Sequence, residues 1–287
     1  MSGEKTKDVV TEKIIEAREI SVNRLFSNDF MFDIPFYQRP LSWNRDHFQQ
    51  LVEDLYESMS SEEGHFLGSI LLQQKLPSRR YDLIDGQQRI TALTILMAVI
   101  RDITSIPDLK KTMQDCIYIE ENKYRRIPES MKVTPWEELR DLFRQYVYSI
   151  DGTKKFLEDF EKHKIDYNND KEDPKYHLYE AIDYFHKKAT GIAELENFVD
   201  HILNNVYLVN IMTKSDLSSA FRLFHVMNTR GLDLTPSDIL KAENLGIIKE
   251  ADEKEQYAKI WRSMEEDLGR DTLANIVAHI RTCLLYT

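Results

Sequence analysis

Five consecutive residues, Asp85-Gly86-Gln87-Gln88-Arg89, put a carboxylate, a glycine, two amides and a guanidinium side by side. They fall where a strand-like run, RRYDLI, gives way to a strongly apolar helical one. A helix that starts at such a turn offers unpaired backbone N–H groups and the positive end of its dipole, which together suit a phosphate. Gly86 lets the backbone approach a ligand closely, and Arg89 offers a planar fork for phosphate oxygens. Asp85 fits a divalent cation that bridges phosphates, or a role in orienting a water. Gln87 and Gln88 add hydrogen bonds without charge. The same spacing also fits a capping box, with Asp85 as the N-cap and Gln88 reaching back to its amide. The two readings are compatible, because a capped helix end still presents Gly86 and Arg89.

Two further segments carry groups that suit a ligand. In Ile34-Pro35-Phe36-Tyr37-Gln38-Arg39-Pro40-Leu41-Ser42-Trp43, two prolines stiffen the backbone and bar a central strand position. Tyr37, Gln38 and Arg39 then form a small surface able to stack on a base and meet a phosphate. The alternative is that Phe36 and Trp43 are core and Tyr37 covers it. In Phe224-His225-Val226-Met227-Asn228-Thr229-Arg230-Gly231, Asn228 and Arg230 sit on a turn after a helix, where sites often lie, although Asn and Gly there also serve as a plain stop signal. His47, His65 and His225 read as ordinary lone histidines. The chain shows no clustered metal ligands, no Ser-His-Asp arrangement and no P-loop signature.

The elements that must position these groups follow from periodicity. Residues 10–19 read as a short polar helix, and the next twenty or so as two candidate strands around a turn at Asn28-Asp29. Asn44 is a plausible N-cap for a helix over about residues 45–59, with Phe48, Leu51, Val52, Leu55 and Met59 on one face. Strands HFLGSILLQQ and RRYDLI come next, then an apolar helix ending near Asp102. Beyond Pro107 the pattern turns helical, with Thr134-Pro135 as a helix start. The apolar segment NNVYLVNIM suits a strand that returns to the first sheet. The fold class expected is α+β, with an α/β unit over residues 1–105 and a mostly helical region over 106–287. The final IVAHIRTCLLYT stops in mid-pattern without a cap, as in a domain cut from a longer chain.

Composition bounds the function classes. The 287 residues carry a net charge of −11, so nucleic-acid contact has to be local rather than spread over a basic face. Residues 31–102 hold seven Lys/Arg against ten Asp/Glu, which points the same way. The only cysteines, Cys116 and Cys283, suggest reduced thiols and a cytoplasmic home. The opening MSGEKTKDVVTEK is polar and charged, unlike a signal peptide, and residues 90–100 are too few to span a membrane.

Taken in order, IPFYQRPLSW, HFLGSILL, YDLIDGQQRITALTIL and FHVMNTRGLDLTPSDILKAENL form a set that resembles the N-terminal domain of GmrSD-type, modification-dependent restriction systems, over roughly residues 18–250. The resemblance implies a fold similar to the ParB and sulfiredoxin nucleotide-binding domains. It implies that Asp85, Gly86, Gln87, Gln88 and Arg89 bind an NTP and help to hydrolyse it with Mg²⁺, Asp85 serving the metal. It places Tyr37, Gln38 and Arg39 around the nucleotide or a modified DNA group, with Asn228 and Arg230 closing the site from the helical side. Relatives often carry an HNH-like nuclease domain after the helices. No His-Asn-His pattern occurs in these residues, so the expected role is an NTP-hydrolysing sensor for a separate nuclease acting on modified DNA. A nucleotide-switched binding module without turnover and a self-contained metal-dependent nuclease are the alternatives.

Overall fold

The computed structural model describes residues 15–36, 38–61, 63–75, 78–167, 169–213, 241, 244, 248, 250–269, 272–273, 275–277 and 279–280. Its centre is a six-stranded mixed sheet in the order β1-β8-β3-β4-β2-β7. These strands are β1 (Ile15–Ser21), β2 (Met31–Asp33), β3 (His65–Gln74), β4 (Arg80–Asp85), β7 (Val133–Thr134) and β8 (Val206–Thr213). β8 runs antiparallel to β1 and parallel to β3, so the apolar segment near residue 206 does return to the first sheet, next to its middle. β3 and β4 are antiparallel, and β2 lies parallel to both β4 and β7. A separate ribbon pairs β5 (Tyr118–Ile119) with β6 (Ser130–Met131). The class is α+β, as expected. Two strands from beyond residue 105 help to complete the sheet, and one continuous apolar core runs from Ile20 to Leu208.

Helix α1 (Val22–Leu25) follows β1 directly, with the Ser21 side chain accepting from Arg24 N–H. Helix α2 (Arg45–Glu57) starts at Asn44, whose side chain accepts from His47 N–H, and buries Phe48, Leu51, Val52 and Leu55. That is the N-cap and the face the spacing predicts. Helix α3 (Gln87–Ile103) is buried almost all round, as an all-apolar helix must be. It packs against α4 (Pro107–Ile117), α6 (Gly152–Glu161) and α7 (Pro174–Thr190), the last of which also lies against α2. α8 (Leu195–Asn204) leads into β8, and a helix over Ala251–Leu268 follows later in the chain. Among the described residues no helix is long and apolar enough to cross a membrane.

Three local expectations need correction. Residues 15–21 form strand β1, not the second half of a polar helix, because they pair with β8 along their full length and that tertiary pairing outweighs local helix preference. The first of the two strands expected around Asn28-Asp29 is helix α1. Thr134 lies in β7, where its hydroxyl accepts from Arg80 Nη2 at 2.7 Å, and α5 (Glu137–Leu142) begins three residues later with Trp136 in the cap position. The helix expected before Asn228 lies outside the described residues.

The far end of α3 is pinned by a buried ion pair. Arg101 and Asp102, at 0% and 2% exposure, form a two-point bridge of 2.7 and 3.0 Å. The Arg101 guanidinium also donates to Gln114 Oε1 and to the carbonyls of Val147, Tyr148 and Ser149. Asp102 accepts from Asp151 N–H, Thr153 N–H and the Thr153 hydroxyl. This network fixes the entry to α6, where Asp151 holds a left-handed conformation at φ 58°. With every polar group paired, removing one partner leaves the other charge stranded. Arg101→Met is expected to lower the unfolding free energy by about 3–5 kcal/mol. Urea unfolding measures this, and a loss below about 1 kcal/mol, ordinary for a surface change, would contradict it.

Candidate functional site

The Asp85-to-Arg89 turn lies where β4 ends and α3 begins, so sheet and core together fix its position. Gly86 sits at the head of α3 with φ 88° and ψ 9°, a left-handed conformation costly for any residue with a Cβ. A Cβ here would meet Ile70 Cγ2 at 2.6 Å, so glycine is required by space as well as by backbone. Gly86 itself occupies the N-cap position, and no side chain caps the helix. The capping box expected from Asp85 and Gln88 is therefore absent, because Gln88 is committed elsewhere. The helix start keeps its backbone N–H groups clear of side-chain caps, the condition a phosphate needs.

The two glutamines are structural wires. Gln88 Oε1 accepts from the backbone N–H groups of Ser42 and Trp43 at 3.0 and 3.2 Å, while its Nε2 donates to Pro40 O at 2.9 Å. Gln87 Nε2 donates to Gln38 Oε1 at 3.0 Å, and Gln38 Nε2 donates to Ile84 O at 2.8 Å. All three side chains are buried. The structure thus brings Gln38, Gln87 and Gln88 together and fastens the proline-rich segment to the strand-to-helix turn. Arg39 is half-buried in that segment. Tyr37, Asn228 and Arg230 lie outside the described residues.

Asp85 and Arg89 form the charged part of the turn. Burial raises the Asp85 carboxyl above the usual aspartate range, against the opposing pull of the Gly86 amide and of Arg89. Burial likewise lowers the Arg89 guanidinium, with Asp85 pulling the other way. Arg89 Nη1 donates to Ser69 O at 3.0 Å. Its guanidinium passes Gly68, where φ is 101° and a Cβ would sit 3.1 Å from Nη2. The pairing of β3 with β8 shifts register between Phe66 and Ser69, a bulge of the kind that often borders sites. Sequence reading passes over Gly68; its one signal is a glycine inside a strand pattern.

Arg89 also lines an open cleft of about 250 Å³, shared with Trp43, His47 and Asp54 from α2 and the chain before it, and with His65 and Phe66 of β3. Trp43 and His47 stack nearly parallel, their centroids 5.6 Å apart at 13°. Phe66, which also lines the cleft, is 55% exposed. Read singly, His47 and His65 look ordinary; only the fold brings them to one cleft with the motif arginine. Elsewhere, Cys116 is buried and its thiol is pushed up to about 11, so it is a poor nucleophile. Among the described residues no group of three or more His, Cys, Asp or Glu side chains could hold a metal ion.

Two outcomes follow from this geometry. Gln88→Leu removes the partner of two N–H groups and one carbonyl and is expected to cost about 1–3 kcal/mol for each group left buried and unpaired. Faster amide hydrogen exchange at Ser42 and Trp43 would accompany that loss, and unchanged exchange there would contradict it. The second concerns pH. Because the folded-state value of Asp85 is raised, its stability contribution is full below the ordinary aspartate pKa and is lost as pH rises through the folded value. Asp85→Asn should therefore melt higher than wild type near roughly pH 7 and lose that lead toward about pH 4. Identical melting curves at both pH values would refute it.

The description "GmrSD restriction endonuclease, N-terminal domain" matches residues 22–245, a span that takes in the turn, the proline-rich segment and the cleft. No match is found among curated proteins. With well over half of the chain matched, this protein belongs to the family of N-terminal domains of GmrSD restriction endonucleases and so to a restriction system.

Proposed function

We propose that this chain binds a nucleoside triphosphate at the head of α3 and hydrolyses it with Mg²⁺, as the sensing half of a modification-dependent restriction system. The observation that carries the reading is the uncapped helix start at Gly86, flanked by Arg89 on one side and Asp85 on the other. The N–H groups of the first turn and the Arg89 guanidinium neutralise phosphate oxygens, and positioning with electrostatics carries most of phosphoryl transfer. In this reading the sheet with its α3 start serves as a ParB/sulfiredoxin-like nucleotide-binding fold. Tyr37, Arg39, Asn228 and Arg230 complete the surround, and turnover licenses a nuclease domain or subunit that acts on modified DNA.

Mg²⁺ fits Asp85. That ion keeps several waters and is held by one or two carboxylates together with the phosphates, so a single half-buried carboxylate is a sufficient protein donor. Burial disfavours the charged form of Asp85, and a cation beside it supplies the missing compensation. When bound, the metal would neutralise charge on the phosphates. Asp85 holds or orients, Arg89 binds, and the wired glutamines keep the proline-rich segment against the turn.

One observation favours a second reading. The polar atoms of Gln88, the Nε2 of Gln87 and both polar atoms of Gln38 are engaged in structural hydrogen bonds, so few amides are left to position an attacking water. A nucleotide-switched module without turnover would need only the phosphate cradle. Binding and phosphate release with ATP, GTP, CTP and UTP in Mg²⁺ separate the readings. Hydrolysis predicts release that Asp85→Ala reduces to background, and Arg89→Ala should weaken binding on the order of ten- to a hundred-fold. Binding without release above the Asp85→Ala background leaves the switch; no binding of any of the four nucleotides sinks both.

A further inference from the structure

The cleft beside the turn offers chemistry that a phosphate cradle does not need. A pocket for phosphate alone is served by N–H groups and guanidinium. Here the Arg89 end opens onto an aromatic floor, with the Trp43–His47 stack from one side of the chain and the exposed Phe66 ring from another. Leaving a phenylalanine ring half in water loses burial energy, and scattered exposed apolar residues are ordinary. An exposed ring that lines a cleft together with a stacked indole–imidazole pair and a motif arginine is a more specific arrangement.

The geometry points to this cleft as the seat of the nucleobase. This rests on the proposed binding of a triphosphate at the α3 start, and adds where the rest of that ligand lies and which residues hold it. Three features set the orientation. Arg89, placed above in the proposed phosphate cradle, also lines the cleft, so a ligand held by its guanidinium reaches the cleft directly. Asp54, which also lines the cleft, repels phosphate and can accept a hydrogen bond only from a donor such as a base N–H, so phosphate takes the Arg89 end and the base the Asp54 end. The volume of about 250 Å³ is below the roughly 300–1,000 Å³ of pockets that enclose a whole drug-sized ligand, which suits one flat ring system with the remaining groups outside. Stacking on Phe66 and the Trp43–His47 pair is tolerant of base identity, because every base presents a π-face.

The test compares a nucleoside triphosphate with inorganic tripolyphosphate, which has the phosphates and no base. Calorimetric titration in Mg²⁺ is expected to show ATP binding wild type at least tenfold more tightly than tripolyphosphate, in keeping with the strength of base–aromatic stacking. Phe66→Ala should erase that difference and leave tripolyphosphate binding unchanged, and Phe66→Tyr should restore it. The Phe66 ring is already half in solvent, so its removal leaves the core intact. Equal affinity of the two ligands for wild type overturns the base seat while the phosphate site stands. So does a Phe66→Ala loss that falls on both ligands alike. Failure of wild type to bind either ligand removes the phosphate site, and the base seat with it.

Discussion

The positions of Asp85, Gly86, Gln87, Gln88 and Arg89 follow from one constraint, the near-complete burial of α3. A helix apolar on all sides cannot lie on a surface, so strands and helices must enclose it. The sheet delivers β4 to its head, while α4, α6 and α7 pack along it. Its two ends cannot be apolar, because a helix terminus exposes backbone groups that need partners. Hydrogen-bonding side chains accordingly gather at both ends of α3, and the two ends are treated differently. At the C-terminal end, Arg101 and Asp102 are fully paired within the protein. At the N-terminal end the cap is a bare glycine, and the Gln87 and Gln88 side chains reach away to the proline-rich segment.

That asymmetry separates stability from function. A buried, satisfied pair holds the loop before α6 in one arrangement and leaves nothing for a ligand. The N-terminal end keeps a carboxylate that burial disfavours and a guanidinium that donates to the Ser69 carbonyl and lies within the field of Asp85. Such a local departure from the best folding choice is expected at a site and is held in place by the rest of the fold. Gln38, Gln87 and Gln88 do the holding. Each bridges backbone or side chain across more than forty residues of sequence, so the turn and the proline-rich segment are tied together.

Much of this was legible in the sequence, and the failures have physical causes. Helix α2 with its Asn44 cap, strands β3 and β4, and the extent of α3 all follow from hydrophobic period and cap chemistry, which are local signals. Strand β1 escaped because its identity is decided by β8, almost two hundred residues away. The Thr134-Pro135 start failed because the Thr134 hydroxyl serves Arg80 rather than a helix amide. At the turn, residue types were enough to mark Asp85, Gly86 and Arg89, whereas the capping role of Gln88 could not be told from its cross-chain role by spacing. The cleft had no linear signature at all. His47, Asp54, His65 and Phe66 come to line one cleft with Arg89 only in the folded chain.

The net charge of −11 gives the local arrangement its weight. A long-range field of that sign repels phosphate-bearing ligands, so affinity for one has to arise within a Debye length, about 8–10 Å at ordinary ionic strength. Inside that distance the head of α3 supplies oriented N–H dipoles and the Arg89 charge, partly removed from water, where electrostatic interactions are strongest. That long-range field penalises a polyanion laid across the surface, so any contact with a nucleic-acid backbone has to be local.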